Sequence, residues 1–176
     1  IVNGPVRGLP NYSEIEGMDL KAELETRFGV PVALENDATA AAIGENWLGA
    51  SKDVRDSIMI TLGTGVGGGI IIGDTLVEGE HSCGSECGHI IINPADDARL
   101  DSLGNRGSLE GYCNATAVVD RALAAMGSGA VTSLAKRQAA GDEITPQVVA
   151  QEAEKGDEVA RRAIMETAYW LAIGIV

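Results

Sequence analysis

Positions 63–69, Gly-Thr-Gly-Val-Gly-Gly-Gly, hold five glycines in seven places directly after the run Ile58-Met59-Ile60-Thr61-Leu62. Backbone without side chains can approach a phosphate closely and turn successive N–H groups toward it. Gly63, Gly65 and Gly68 match the spacing of a dinucleotide-binding loop, but such a loop has to open a helix whose N-terminus receives the pyrophosphate. Here Ile70-Ile71-Ile72 reads as a strand, Gly73-Asp74 as a tight turn and Thr75-Leu76-Val77 as a returning strand, so the glycines sit in a β-hairpin. No Lys-Ser or Lys-Thr follows them, which excludes a Walker-type loop. Two hydroxyls interleaved with the glycines, Thr61 and Thr64, weigh for phosphate contact over a ligand-free hairpin.

Two further groups of residues could do chemistry. Glu35-Asn36-Asp37 stands where a short strand would end and a helix begin, and in open α/β sheets ligands gather at the carboxyl ends of strands. The positive end of that helix favours a carboxylate at Asp37. An ordinary Asx cap explains part of the group, although three acceptors together exceed what one cap requires. The other group is Glu86 and His89, three residues apart across a glycine, with Glu110 at an expected helix start. Each has a plainer reading, His89 as a satisfied core residue beside an Ile-Ile-Ile run and Glu110 as a first-turn helix acid.

These residues need an α/β framework. Leu20, Leu24 and Phe28 predict a helix over 18–28 that stops at Gly29, followed by a strand over 30–34 and a helix over 37–48. Small residues along one side of the latter let its backbone pack closely on a sheet. The polar stretch 50–56 reads as a crossing between two lobes. After the hairpin come a loop over 79–88, a strand over 89–92 and an irregular segment over 93–107. Ser108 can cap a helix running to about Met126, Thr145-Pro146 opens another, and Asp157 caps a third.

Composition limits the functions available. A chain of 176 residues with 45% hydrophobic content can bury a sizeable core. Thirteen Lys and Arg against 26 Asp and Glu give a formal charge of −13, which repels nucleic acid and anionic membrane. An anionic ligand then has to be held by local N–H groups and a metal ion. Three cysteines and no leader point to a reducing cytoplasm rather than a disulfide framework. The apolar run over 168–176 is too short for a span of roughly twenty residues. The opening Ile1-Val2-Asn3 and the uncapped helical pattern at the end mark the sequence as a segment of a longer chain.

Taken together, Gly4-Pro5-Val6, Asn11, Glu35-Asn36-Asp37-Ala38-Thr39-Ala40-Ala41-Ala42, the Gly63–Gly69 loop, Glu86-Cys87-Gly88-His89 and Gly104-Asn105-Arg106-Gly107-Ser108-Leu109-Glu110 resemble the ROK family of sugar kinases and sugar-responsive repressors, bacterial glucokinases above all. The resemblance runs from about residue 4 to about residue 120. It implies an actin-like ATPase fold of ribonuclease-H-like lobes, with residues 1–56 ending the small lobe and 57–176 forming part of the large one. It implies that Asp37 is the catalytic base, that Asn36, Glu86, His89 and Glu110 hold sugar hydroxyls, and that Gly63, Thr64, Gly65, Gly67 and Gly68 hold ATP phosphates. The family's first phosphate loop would lie upstream and its adenine-pocket helices downstream.

The expected reaction is transfer of the γ-phosphate of ATP, with Mg²⁺, to a hexose hydroxyl, glucose O6 first. Such a transfer asks the protein for positioning, charge neutralisation and a carboxylate to take the hydroxyl proton. Many family members hold a zinc ion with three cysteines and the histidine, but this chain has Asp101, Leu103 and Ser108 at those places, which argues against a structural zinc. Cys83 and Cys87 lack a clear fourth ligand and read as small packed residues. The expected partners are the hexose and ATP, with no nucleic acid through this segment, no membrane, and a homodimer compatible with the family. The alternatives are a sugar-responsive transcriptional repressor and a non-catalytic sugar-binding relative. The hairpin after the glycines weighs against a nicotinamide oxidoreductase.

Overall fold

The computed structural model describes residues 5–6, 13–80 and 83–176. Gly4 and Asn11, two positions that carry part of the resemblance, lie outside the described residues. The chain divides into two compact units, one made of the residues up to Met59 with Gly68–Ser85, the other of Ile60–Gly67 with Glu86–Val176.

In the first unit, helix α1 (Leu20–Phe28) starts at Asp19, whose side chain accepts the Ala22 N–H at 3.0 Å. The strand expected over 30–34 does not form. Val32 instead donates its N–H to Glu25 Oε1 at 3.1 Å, so its donor goes to a side chain rather than to a neighbouring strand. Helix α2 (Asp37–Leu48) forms as its pattern predicts, capped by Asn36. An added Cβ at Gly69 would lie 2.2 Å from Ala42 Cβ and 3.3 Å from the Ala38 carbonyl, so strand and helix meet at a point where only glycine fits.

Strands β1 (Ser57–Leu62), β2 (Val66–Ile72) and β3 (Thr75–Leu76) form one sheet in that order. β2 and β3 pair antiparallel, Ile72 opposite Thr75. The turn between them has φ of 60° at Gly73 and 64° at Asp74, the doubly left-handed turn that fits a two-residue hairpin. Residues 55 and 56 brace it. Asp56 Oδ1 accepts the Gly73 N–H at 2.6 Å, and the Arg55 carbonyl accepts that of Asp74 at 3.0 Å.

In the second unit the strand expected over 89–92 is replaced by a 3-10 turn (Cys87–His89) and a single bridge between Ile91 and Ser108. The Gly107 carbonyl accepts from both Ile92 and Asn93, at 2.8 and 3.1 Å, and this closes the ladder after one step. The long helix expected from Ser108 is two helices, α3 (Leu109–Cys113) and α4 (Ala115–Gly127). Asn114 breaks them apart with ψ of 168° and caps α4 by accepting the Ala117 N–H at 2.8 Å.

A short helix α5 (Ser133–Ala139) follows, then α6 (Pro146–Glu154), capped by Thr145, and α7 (Glu158–Ile175), capped by Asp157. Val118, Ala122, Leu134, Val149, Ala160 and Ala163 pack as one buried cluster that holds α4 to α7 together. A second cluster, Val66, Ala98, Leu109, Tyr112 and Cys113, ties the start of β2 to α3. Among the described residues no helix is long and apolar enough to cross a membrane.

Candidate functional site

The second unit gathers residues 63–67 of the glycine loop, His89, Asp101 and Glu110 in one place. Ser108 begins the arrangement: fully buried, it caps α3 by accepting the Gly111 N–H at 3.3 Å and sets Glu110 in the first turn. Glu110 is itself buried, and an ionisable side chain tolerates that only with partners. Its Oε2 accepts the N–H of Val66 at 3.1 Å, while Oε1 accepts the N–H and hydroxyl of Ser102 at 3.2 and 2.5 Å. An added Cβ on Gly65 would stand 2.6 Å from Oε2, so the carboxylate is seated against the loop backbone itself.

Gly88 presses against the same stretch: a Cβ there would fall 2.0 Å from the Val66 carbonyl oxygen. This contact delivers His89, whose Nδ1 lies 3.0 Å from Asp101 Oδ2. The Asp101 side chain is wholly inaccessible, whereas 28% of that of His89 is exposed. Asp101 Oδ1 accepts the N–H groups of Leu103 and Asn105 at 3.0 and 2.8 Å, and Oδ2 accepts Asn105 Nδ2 and Ser108 Oγ at 3.1 and 2.9 Å. Burial pushes this carboxyl up, but the bonds from Asn105, Ser108 and His89 outweigh it and hold it down at about 2. Asp101 is therefore an ionised acceptor set against Nδ1 of His89.

One ligand atom each from His89, Asp101 and Glu110 falls within 4.8 Å of the others, a spacing that could admit a cation. The hydrogen bonds leave a cation too few open positions, little more than His89 Nε2 and one lone pair of Glu110. Asp101 takes five donors against roughly four lone-pair positions on a carboxylate, and both oxygens of Glu110 are engaged. Leu103 and Ser108 supply no thiolate. These residues do not fit a zinc ion.

The remaining candidates are placed as follows. Glu86 is exposed before the 3-10 turn and makes no capping bond, so its carboxylate is open to a ligand. In the first unit, Asn36 acts as the cap that its type suggests, its Oδ1 accepting from Ala38 and Thr39 at 2.9 and 3.2 Å. Asp37 is exposed at the first position of α2 and accepts the Ala38 N–H through Oδ1 at 2.9 Å. Gly68 belongs to that unit as well, while Gly63, Thr64, Gly65 and Gly67 belong to the other.

A cavity of about 610 Å³ borders the loop at Leu62, Gly63 and Thr64, with Ala115, Pro146, Gln147 and Ala168 among its other walls. Its mostly apolar lining suits a flat ring, and Gly63 and Thr64 of the loop form one edge. Sequence reasoning missed three contributors: Ser102 and Asn105, which hold the two carboxylates, and the Pro146-Gln147 wall. The Pro146 signal was visible as a helix start only and Asn105 only as part of the 104–110 motif, whereas Ser102 carries no local pattern that marks it.

A model of the ROK family matches residues 3–176. The chain is 40% identical over 159 residues to a glucokinase of Streptomyces coelicolor, covering 89% of this chain and 50% of the relative. It is 34% identical over 173 residues to a xylose repressor of Caldicellulosiruptor bescii, covering 98% of this chain and 42% of the relative. Among solved structures, a ROK family glucokinase from Streptomyces griseus in complex with glucose and AMPPNP superposes with a TM-score of 0.78 at 38% identity, over 92% of this chain and 52% of that one. The chain thus spans about half the length of these two glucokinases, and its fold is a segment of the actin-like ATPase architecture.

Proposed function

The chain belongs to the ROK family, and on that premise we propose that its parent protein is an ATP-dependent hexose kinase that phosphorylates a sugar hydroxyl, glucose O6 first, with Asp37 as base. One observation carries this reading. The loop borders the apolar cavity through Gly63 and Thr64 and the acceptor cluster through Gly65 and Val66, so two ligands can meet across one turn of backbone. An adenine nucleotide suits the cavity side, its phosphates following the loop N–H groups, with Mg²⁺ arriving as part of the nucleotide complex. On the other side, His89, Glu110 and the exposed Glu86 offer acceptors to a neutral polyol, whose hydroxyls donate, and repel an anion. The related Streptomyces griseus enzyme holds glucose and AMPPNP together, which supports the pairing.

In the proposed reaction the sugar oxygen attacks the γ-phosphorus, a new O–P bond forms, the β,γ-bridging P–O bond breaks and ADP departs. Asp37 takes the hydroxyl proton, and Asn36 orients the neighbouring hydroxyl. Residues 1–56 then end the small lobe, 57–176 belong to the large lobe, and the enzyme works in the cytoplasm. Coupled detection of ADP release from the full-length protein, with a panel of hexoses, tests this. Asp37→Asn is expected to lower kcat by about 10² to 10⁴ with sugar affinity kept within a few-fold. Unchanged turnover in that variant overturns the assignment of the base.

A second reading, a sugar-responsive repressor, draws on the xylose repressor, which matches almost the whole chain. That protein would bind the sugar at the same acceptors without ADP release. Sugar binding with no turnover on any hexose in the panel selects it.

A further inference from the structure

We propose that Asp101 is a positioning residue: an enclosed carboxylate that locks the His89 ring through its Nδ1 proton, in the place of a metal ion, so that Nε2 faces the ligand as an acceptor. The reach of Nε2 to a sugar rests on the kinase reading above; the lock itself does not. Three features of the geometry support the lock. The carboxylate has no access to solvent, so its five donors are its whole environment. Those donors come from three chain segments, the 3-10 turn through His89, the 103–105 turn through Leu103 and Asn105, and the start of α3 through Ser108, so one side chain fixes all three relative to each other. The third feature is that two of the places that resemble zinc-binding cysteines, Asp101 and Ser108, are bonded to each other at 2.9 Å, and the first of them holds the histidine. A hydrogen-bonded hub ties these three segments together, with no thiolate among its members.

The chemical consequence is a choice of tautomer. A neutral imidazole with its proton on Nδ1 has a lone pair on Nε2 and accepts from a hydroxyl; the opposite tautomer would donate there instead. Beside the Glu110 carboxylate, an accepting Nε2 suits the cluster to hydroxyl donors. An amide at position 101 would place N–H donors against the Asn105, Ser108 and His89 donors and release the ring.

The test uses the isotope-labelled full-length protein, with the His89 signals assigned by their loss in His89→Gln. Long-range proton–nitrogen correlation spectra are expected to show Nδ1 as the protonated nitrogen, and elemental analysis to find zinc far below one ion per chain, with spectra unchanged by a chelator. In Asp101→Asn the tautomer is expected to mix, and the sugar KM to rise about 10-fold or more with kcat within about 3-fold. A proton on Nε2 in the wild type, or one chelatable zinc per chain lost in His89→Gln, overturns the proposal. An unchanged tautomer in Asp101→Asn overturns it too. Should that variant fail to fold, the wild-type tautomer and metal content decide alone. A mixed tautomer with an unmoved sugar KM leaves the lock standing and refutes the role of His89 in sugar binding.

Discussion

The N–H of Val66 donates to Glu110 Oε2 over 3.1 Å, joining a loop residue to a helix residue 44 positions later in the chain. The carboxylate therefore has a structural duty beside any ligand it meets. Glu110→Ala strands the Val66 N–H and the Ser102 donors, and is expected to destabilise the fold by about 1–3 kcal/mol. Because the loop then loses its seat, the KM values for ATP and sugar should rise together in the full-length protein. Glu110→Gln, which keeps one carbonyl acceptor, should lose less on both counts. Urea denaturation beside two-substrate kinetics checks this, and an unmoved denaturation midpoint in Glu110→Ala refutes the structural duty.

Acid should weaken this fold partly through Asp101. Its carboxyl titrates near 2 in the folded protein against 3.8 ordinarily, so the stabilisation is complete above the ordinary value and is lost as pH falls from about 5 through 2. The amount is on the order of 1 to 2 kcal/mol. Asp157 acts in the same direction, since bonds from Ala160, Thr132 and Ser133 lower it despite burial. Thermal melts across this range should show the wild type losing stability more steeply than Asp101→Asn, by about one proton's worth of slope. Parallel profiles would contradict it.

The elements legible in the sequence are those that carry their own start signals. Asn36, Thr145-Pro146 and Asp157 each cap the helix they announce, and Gly73-Asp74 forms the expected hairpin turn. The misread elements depend on partners elsewhere in the chain. Residues 30–34 have strand-like composition, but Val32 donates to Glu25 instead. The Ile90-Ile91-Ile92 run meets the Gly107 carbonyl, which takes the N–H groups of Ile92 and of Asn93 just beyond it at once. Asn114 sits in a pattern that reads as continuous helix, yet its side chain bonds to backbone more readily than it supports a helix interior.

The site divides in the same way. The glycine run and the Glu86–His89 spacing are local and visible, whereas the Val66–Glu110 and His89–Asp101 contacts join residues 44 and 12 positions apart. Asp101 reads in the sequence as a missing thiolate. Only the folded chain shows it as the hub that holds His89.

Two glycines of the same run separate what serves the fold from what serves a ligand. At Gly69 an added Cβ would meet Ala42 Cβ at 2.2 Å, in a region where helix and strand touch directly, whereas at Gly63 it would meet nothing within 4 Å. Neither position has a left-handed φ, so the comparison is one of space alone. Gly69→Ala should cost about 1–3 kcal/mol of stability through overpacking. Gly63→Ala should change stability by less than about 0.5 kcal/mol. Its methyl group would instead stand on a residue that lines the cavity, on the side from which the proposed nucleotide approaches the loop. The ATP KM of the full-length Gly63→Ala protein is therefore expected to rise about 10-fold, roughly 1.4 kcal/mol of binding, with the denaturation midpoint held. Equal ATP affinity in Gly63→Ala and wild type would remove this end of the loop from the nucleotide site.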